Sequence, residues 1–385
     1  MGAWLWMCQA VRVLIINTGR NERTIRLGGS NCLEARIAMR RISSNSIASV
    51  LSRGLFGGVA PSILLNVDAL FFSLFCLVRF RDPLAKATRV HTYHFWFALI
   101  SLIFPRLRKK LVYTELGGEW VEVAESRASK LVRLRYAYLG RWVLSRVRVI
   151  AQSESNKRNM VRCGIPSRNI VVVHHGRSDP NLFHPTVPKS SSTFNILYVG
   201  RIVPQKGLQI LAEASNLLVN QRGLRDIVFT VIGPIGGFGF NATTSYYENV
   251  RKYIDRHGIL TYYKFMGHIP TNELVDIYSR ANVYVLPSIQ DALPLSVTEA
   301  QMCGTPVIGT YSGGMVEMIE DGVTGFVIPV NNPGALAEKL EHLASHRQEC
   351  FEMGLRARSR ALQFFSNETF PQELLDAVLG ETKGV

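Results

Sequence analysis

From residue 194 onward the hydrophobic pattern changes period at short, regular intervals. "FNILYVG" (194–200), "DIVFTVIG" (226–233) and "YYKFMGH" (262–268) are short β-branched or aromatic runs, and "VYVLPS", "PVIGT" and "GFVIP" follow. Between them lie stretches whose apolar residues recur every three or four positions: "GLQILAEASNLLVNQRG" (207–223), "SYYENVRKYIDRHG" (245–258) and "TNELVDIYSRA" (271–281). "LSVTEAQMCG", "GMVEMIEDG" and "PGALAEKLEHLASH" continue the series. Runs of this kind predict strands alternating with helices, with Thr271 as the N-cap of the third helix. Strict alternation predicts a parallel sheet covered by helices on both faces, a doubly wound α/β domain.

The first half is less regular but of the same kind. "VRVLIINTG" (11–19), "LRKKLVYTE" (107–115), "SRVRVIAQS" (145–153) and "NIVVVHHG" (169–176) read as buried strands. A Pro/Ser-rich segment, "HPTVPKSSSTF" (184–194), divides the two patterned regions. The expected organisation is therefore a first Rossmann-like domain over 1–188, a second over 189–365, and a closing helix in 366–385 that packs back on the first. Two such domains facing each other would leave a cleft lined by strand C-termini.

Composition narrows this picture. With 385 residues, 47% of them hydrophobic and 19% charged, the chain can build two large cores, so disorder is excluded as the general state. The six cysteines are scattered without a CxxC pair, and the histidines read as lacking metal-ligand spacing. Neither a zinc site nor a disulfide framework is expected, which suits a reducing cytoplasm. The opening "MGAWLWMCQAVRVLIIN" has no basic segment ahead of its apolar run, so it is not read as a signal peptide. "SILLNVDALFFSLFCLV" (62–78) is interrupted by Asp68 and is read as a buried or interfacial helix.

Charge is uneven. Residues 1–188 carry 28 Lys and Arg against 10 Asp and Glu, whereas the remainder carries 16 against 19. The first half is thus expected to meet something anionic. Residues 127–148, with Arg127, Lys130, Arg133, Arg135, Arg141, Arg146 and Arg148 among aromatic and Leu positions, read as a basic helix that could lie on anionic lipid. No nucleic-acid module is present, and the cations are not interleaved as a base-stacking surface.

The chemistry is expected in the loops that follow the strands. In "GRIVPQKG" (200–207), Gly200 lets the chain turn while Arg201 and Lys206 place two cations beside the next helix, a receptor for a diphosphate. Gly233 opens the glycine-rich "GPIGGFG". In "PSIQDALPLSVTEAQMCGTPV" (287–307), Asp291 sits in a loop, Pro294 suits a first helical turn, and Glu299 lies a turn or more into the helix. A fully helical path would separate the two carboxylates by about 12 Å. That exceeds the roughly 5–10 Å of a glycosidase acid/base pair. It fits two polyol sites on one long ligand instead, since each carboxylate can accept bonds from vicinal hydroxyls.

Taken together, "GRIVPQKG", "FMGHIP" and "PSIQDALPLSVTEAQMCGTPVIGTYSGGMVEMIEDGVTGFVIP" resemble the family 4 retaining glycosyltransferases of the GT-B fold, also called glycosyl transferases group 1. The resemblance implies a UDP- or GDP-sugar donor, with Arg201 and Lys206 on the diphosphate, Asp291 on the sugar and Glu299 on the ribose. Ala292, Leu293, Pro294 and Leu295 would line the donor between them, and Gly28 and Gly29 would approach the phosphates from the first domain. Arg201, Lys206 and Asp291 would carry the catalysis. No cofactor and no metal are implied, and the acceptor would be a carbohydrate or a lipid-linked hydroxyl compound. An anionic surface on the cytoplasmic face of the membrane is a further expected partner. The pattern departs from the family at two places. Asp291 stands where the family's usual Glu would be, and Leu116 in "YTELGGEW" (113–120) replaces a histidine. His91, His94, Glu115 and Glu119 are the acceptor-side candidates. The alternative is a non-catalytic sugar-nucleotide-binding or scaffold protein on the same fold.

Overall fold

The computed structural model describes residues 13–17, 32–36, 73–74, 77–78, 81–93, 95–115, 135–175, 177–189, 192–234 and 244–380. The chain divides into two compact units. The first comprises the described residues of Met1–Gln152, Lys157–Val173 and Pro371–Val385; the second comprises those of Ser153–Asn156 and His174–Phe370.

The first unit is built on β1 (Val13–Asn17), β2 (Cys32–Arg36), β3 (Arg89–Thr92), β4 (Leu111–Glu115), β5 (Arg148–Ala151) and β6 (Ile170–Val172). They form one sheet in the order β2-β1-β3-β4-β5-β6, with every pairing parallel. Strand β4 is buried along its whole length, as a strand covered on both faces must be. Helix α1 (Phe95–Ser101) sets Phe95, Phe97 and Ala98 into a core shared with Val90, Tyr113, Val143, Leu144 and Val149. The closing helix Phe370–Leu379 lies in this unit from Pro371 onward, where Arg89 Nη2 donates to the Leu379 carbonyl at 3.3 Å.

Three segments here differ from the sequence reading. Strands β2 ("CLEAR") and β3 ("RVHT") are short and carry charged residues, so they offer little hydrophobic period to detect. The basic stretch over 127–148 is not one helix in its described part. Arg135–Gly140 is wound as a π-helix, Arg141–Leu144 is a single α-turn, and Arg148 already belongs to β5. Val147, Val149 and Ile150 are buried and β-branched, which favours the strand.

The second unit contains β7 (Phe194–Val199), β8 (Ile227–Ile232), β9 (Tyr263–Gly267), β10 (Val283–Val285), β11 (Val307–Thr310) and β12 (Gly325–Ile328). Their order is β12-β11-β10-β7-β8-β9, again all parallel. Helices α2 (Leu208–Asn216), α3 (Thr244–Arg256), α4 (Thr271–Arg280), α5 (Leu295–Met302), α6 (Pro333–Ser345) and α7 (Arg347–Phe364) accompany the strands. Reading outward from β7, strands β8 and β9 go one way and β10, β11 and β12 the other. This is the doubly wound order of a dinucleotide-binding sheet.

The boundary between units falls at Val173/His174, ahead of the Pro/Ser-rich segment where the sequence placed it. The segment before residue 190 is tied to the second domain. Phe183 is buried against Tyr278, with ring centroids 6.1 Å apart, and the Thr186 hydroxyl donates to Asp276 at 2.6 Å. Lys189 donates to the carbonyls of Ser279 and Ala281 and to the Thr305 hydroxyl. Burial lowers its ammonium pKa to about 8. Thr271 is the first residue of α4 rather than its cap; Pro270 precedes it and no side chain caps the helix. Helix α7 has no counterpart in the sequence reading because its buried stripe is Cys350, Met353, Gly354, Ala357 and Ala361. Small residues give a weak hydrophobic period even when they pack closely.

Candidate functional site

Chain order reverses between β7 and β10, so the loops leaving these strands diverge and open a crevice at their C-terminal ends. Lys206 comes from the loop after β7 and Asp291 from the loop after β10, 85 residues later. The structure brings them together: Lys206 Nζ donates to Asp291 Oδ2, and the Ser288 hydroxyl reaches the same oxygen at 3.2 Å. Both side chains are mostly buried, at 16% and 12% exposure, so solvent screens the pair less than a surface pair. The Ile289 amide donates to the Gln205 carbonyl at 2.9 Å and holds the two loops edge to edge.

Asp291 is held from behind by the loop after β11. Gly313 has a φ of +54°, and a Cβ there would lie 1.5 Å from the Asp291 carbonyl oxygen, so only glycine fits. Beyond Asp291 the chain runs through Ala292 and buried Leu293 to Pro294, which occupies the N-cap position of α5 rather than its first turn. No side chain caps α5, so its first amides remain available to an anion. Leu295 is 40% exposed at its start. One turn on, Glu299 is buried and accepts a 3.0 Å bond from the Tyr278 hydroxyl.

Gly200 and Gly233 end β7 and β8. The Gly200 amide donates to the Ile232 carbonyl at 2.9 Å, and a Cβ on Gly233 would meet the Gly200 carbonyl oxygen at 1.8 Å. Arg201 is exposed, and its guanidinium makes no hydrogen bond or ion pair with another described residue. The two cations therefore differ: Lys206 is placed by a carboxylate, while Arg201 is free to meet a ligand.

Three buried tyrosines support this crevice and were not singled out from the sequence. Tyr198 donates to the Arg201 carbonyl at 3.2 Å, and Tyr278 to Glu299. Tyr284 bonds the Val199 carbonyl at 2.9 Å and the Ser296 hydroxyl at 2.7 Å. Burial raises all three phenol pKa values, so they act as neutral donors. Tyr198 and Tyr284 sit in β-branched runs and Tyr278 on the apolar face of α4, so all three read as core, which they are; only their hydroxyls betray the second role.

Glu317 forms a further charged cluster in this unit. It accepts the backbone amides of Glu154 at 2.9 Å and Ser155 at 2.8 Å, and its Oε2 lies 3.0 Å from His174 Nε2. Burial alone would raise its carboxyl pKa, but these partners together lower it.

In the first domain, His91 is fully buried on β3, with Nε2 2.6 Å from the Thr114 hydroxyl and its ring against Tyr93. That is an interior position, not an acceptor surface. Glu115 ends β4, is 2% exposed, and accepts from the Tyr113 hydroxyl at 2.9 Å. Gly28, Gly29, His94, Leu116 and Glu119 lie outside the described residues, as do 127–134 of the basic stretch.

The reading that no histidines stand at metal-ligand spacing is corrected by one cluster. His342 and His346 are four residues apart, and one ligand atom from each lies within 4.8 Å of the other and of a Glu349 carboxylate oxygen.

Residues 182–360 match the family model described as glycosyl transferases group 1. That span is similar to the glycosyl transferases of this family. The matched span contains Lys206, Asp291, Glu299 and the whole second sheet. The chain is 31% identical over 172 residues to a D-inositol 3-phosphate glycosyltransferase of Paenarthrobacter aurescens, covering 45% of this chain and 40% of that protein. A protein of the same name from Kribbella flavida is 33% identical over 171 residues, covering 44% and 39%. The chain thus spans about two fifths of the length of the curated relatives it matches.

Solved structures extend the likeness of fold to both domains. Sucrose-phosphate synthase from Thermosynechococcus elongatus superposes with a TM-score of 0.69 at 19% identity, over 83% of this chain and 79% of that one. Anabaena HepE, solved in complex with UDP-glucose, gives 0.67 at 18% identity, over 96% and 100%. Two α/β domains with parallel sheets of this kind make the fold GT-B. In the second domain, the matched span and the charged crevice fall on the same loops.

Proposed function

We propose that the protein is a glycosyltransferase that moves a hexose from a UDP- or GDP-sugar to a hydroxyl acceptor, with retention at the anomeric carbon. The observation that carries this reading is the Lys206–Asp291 pair at the reversal point of the second sheet, above the uncapped start of α5. A diphosphate seated there would meet the α5 amides, the remaining two N–H groups of Lys206 and the unpaired guanidinium of Arg201. Asp291 would take the sugar hydroxyls and Glu299 the ribose.

Catalysis then rests on charge. As the glycosidic bond to the diphosphate breaks, negative charge grows on the leaving oxygens, and Lys206 and Arg201 offset it where water is partly excluded. No residue of the crevice is assigned as a covalent nucleophile. The departing phosphate takes the acceptor's proton on the face from which it leaves, which gives retention. The residues named supply the electrostatic stabilisation without requiring a metal.

The acceptor is assigned to the first domain and is a carbohydrate or lipid-linked hydroxyl at an anionic membrane surface. Support comes from its cationic excess and from exposed apolar groups set among cations: Ile103 and Phe104 before Arg106 and Arg108, and Trp142 beneath Arg146. No helix among the described residues is long and apolar enough to cross a membrane.

A panel of nucleotide sugars in thermal unfolding tests the donor half. A ligand that binds only the folded state raises the melting temperature with concentration. UDP- or GDP-sugars should do so, followed by transfer to an acceptor with the anomeric configuration retained. No response to any nucleotide sugar would reject the reading. Flotation with anionic liposomes at low and high salt tests the surface; absence of binding at low salt would discard that part alone.

A further inference from the structure

We propose that His342, His346 and Glu349 form a binding site for a divalent transition metal of the zinc class, at the junction of α6 and α7. One ligand atom from each residue lies within 4.8 Å of the other two. His342 is in the last turn of α6, His346 is the single residue between the helices, and Glu349 is in the first turn of α7. On a continuous helix His342 and Glu349 would lie about 10.5 Å apart along the axis; the break between α6 and α7 brings them into contact.

The donors are already arranged as ligands. His342 Nε2 faces both carboxylate oxygens of Glu349, at 3.0 and 3.2 Å. Ligand atoms about 2.0–2.2 Å from a tetrahedral zinc stand roughly 3.3 Å from each other, so an ion can replace the hydrogen bond with little movement. The Nδ1 of His346 is 2.9 Å from the His342 carbonyl, to which it donates as N–H. That bond fixes the tautomer and leaves the Nε2 lone pair for the metal, as the outer partner of a metal-bound imidazole commonly does. The two imidazoles stack at 4.4 Å, and Phe326 packs edge-on to His342 at 5.9 Å.

The surroundings favour a cation. The pocket is lined by Glu338, Glu341 and Glu349; Lys339 pairs with Glu338 and rests over Phe326, and Arg222 pairs with Glu341, which leaves Glu349 as the carboxylate that faces the histidines. Two His and one Glu with an open face leave room for a water as fourth ligand. The consequence is structural. An ion would tie α6 to α7, whose Gly354 packs on Gly304 and whose Arg358 donates to the Met302 carbonyl at the end of α5. The site is separate from the donor crevice and does not depend on the proposed transfer reaction.

The test uses the full chain without a histidine tag, stripped with chelator, and titrated with zinc chloride or magnesium chloride. The proposal expects one zinc per chain and a rise in melting temperature with zinc that magnesium does not give. Cobalt chloride should produce the visible absorption of a low-coordinate site. His346→Ala and Glu349→Gln should each weaken zinc binding about tenfold or more, with UDP-sugar binding unchanged. No zinc-dependent shift in the wild type would overturn the proposal. So would an equal shift and stoichiometry in the His342→Ala/His346→Ala double variant; Glu349→Gln remains informative if that variant does not fold.

Discussion

The two sheets have the same number of strands, all parallel, and each has one reversal of chain order, yet their strand ends carry different chemistry. In the first domain, the groups at the ends of β3 and β4 turn inward: His91 bonds Thr114, and Glu115 takes the Tyr113 hydroxyl. In the second, the ends of β7 and β10 send Lys206 and Asp291 into loops, where they meet each other mostly buried. The sheet therefore supplies the place and the loops supply the chemistry. A reversal point is where a ligand can bind, and the second domain's loops bring opposite charges to theirs.

The comparison breaks most severely if Lys206 is dispensable. Lys206→Ala should lower turnover about 100–1000-fold, the scale of one lost oxyanion donor, while the melting temperature shifts by a few degrees. Glu115→Gln, which changes a carboxylate at a strand end of the first domain, should leave donor affinity unchanged in a calorimetric titration. Wild-type turnover in the first variant, or lost donor affinity in the second, would erase the distinction between the domains.

The next effect sharpens how Asp291 is held. Gly313→Ala places a methyl against the main chain of Asp291 at a left-handed φ, so the loop must shift. Urea unfolding should show a loss of about 2 kcal/mol, accompanied by weaker donor binding.

Glu317 gives a pH-dependent effect. Its carboxyl is held below the ordinary range, so it contributes stability above that range, and the contribution is lost as pH falls through its lowered value. Glu317→Gln should therefore cost about 1–2 kcal/mol near neutrality and progressively less on acidification, read from urea midpoints across pH. The smallest effect is expected at Arg222, whose 2.5 Å pair with Glu341 is exposed on both sides. Arg222→Ala should change stability by less than about 1 kcal/mol, and less still in high salt.

Much of the second domain was legible in the sequence because its strands are β-branched and evenly separated by amphipathic helices. All six strands read from "FNILYVG" to "GFVIP" are present. The first domain was less so: β3 is four residues beginning with Arg, and α7 of the second packs through glycine and alanine, so neither announces itself by hydrophobicity. The domain boundary was displaced because Pro and Ser mark irregular chain, not independence, and Lys189 anchors that irregular chain to α4 and its neighbours.

For the site, the residue types at 201, 206, 291 and 299 could be read, but not their mutual contacts. The pairing of Lys206 with Asp291 joins loops on opposite sides of the chain reversal, and nothing local in either loop encodes it. Tyr198, Tyr278 and Tyr284 were hidden for the converse reason: their rings satisfy the core pattern, and the partners of their hydroxyls are set by the tertiary fold. The spacing of four between His342 and His346 was passed over in the sequence, and the helix break that brings Glu349 to them is set by the fold.

The most direct measurement is calorimetric titration of the wild type and Lys206→Met with UDP, GDP and the parent nucleosides. If the mostly buried cation receives the diphosphate, the preferred nucleotide binds the variant at least tenfold more weakly, while its nucleoside binds both proteins alike. Equal affinity of the two proteins for that diphosphate would contradict the account.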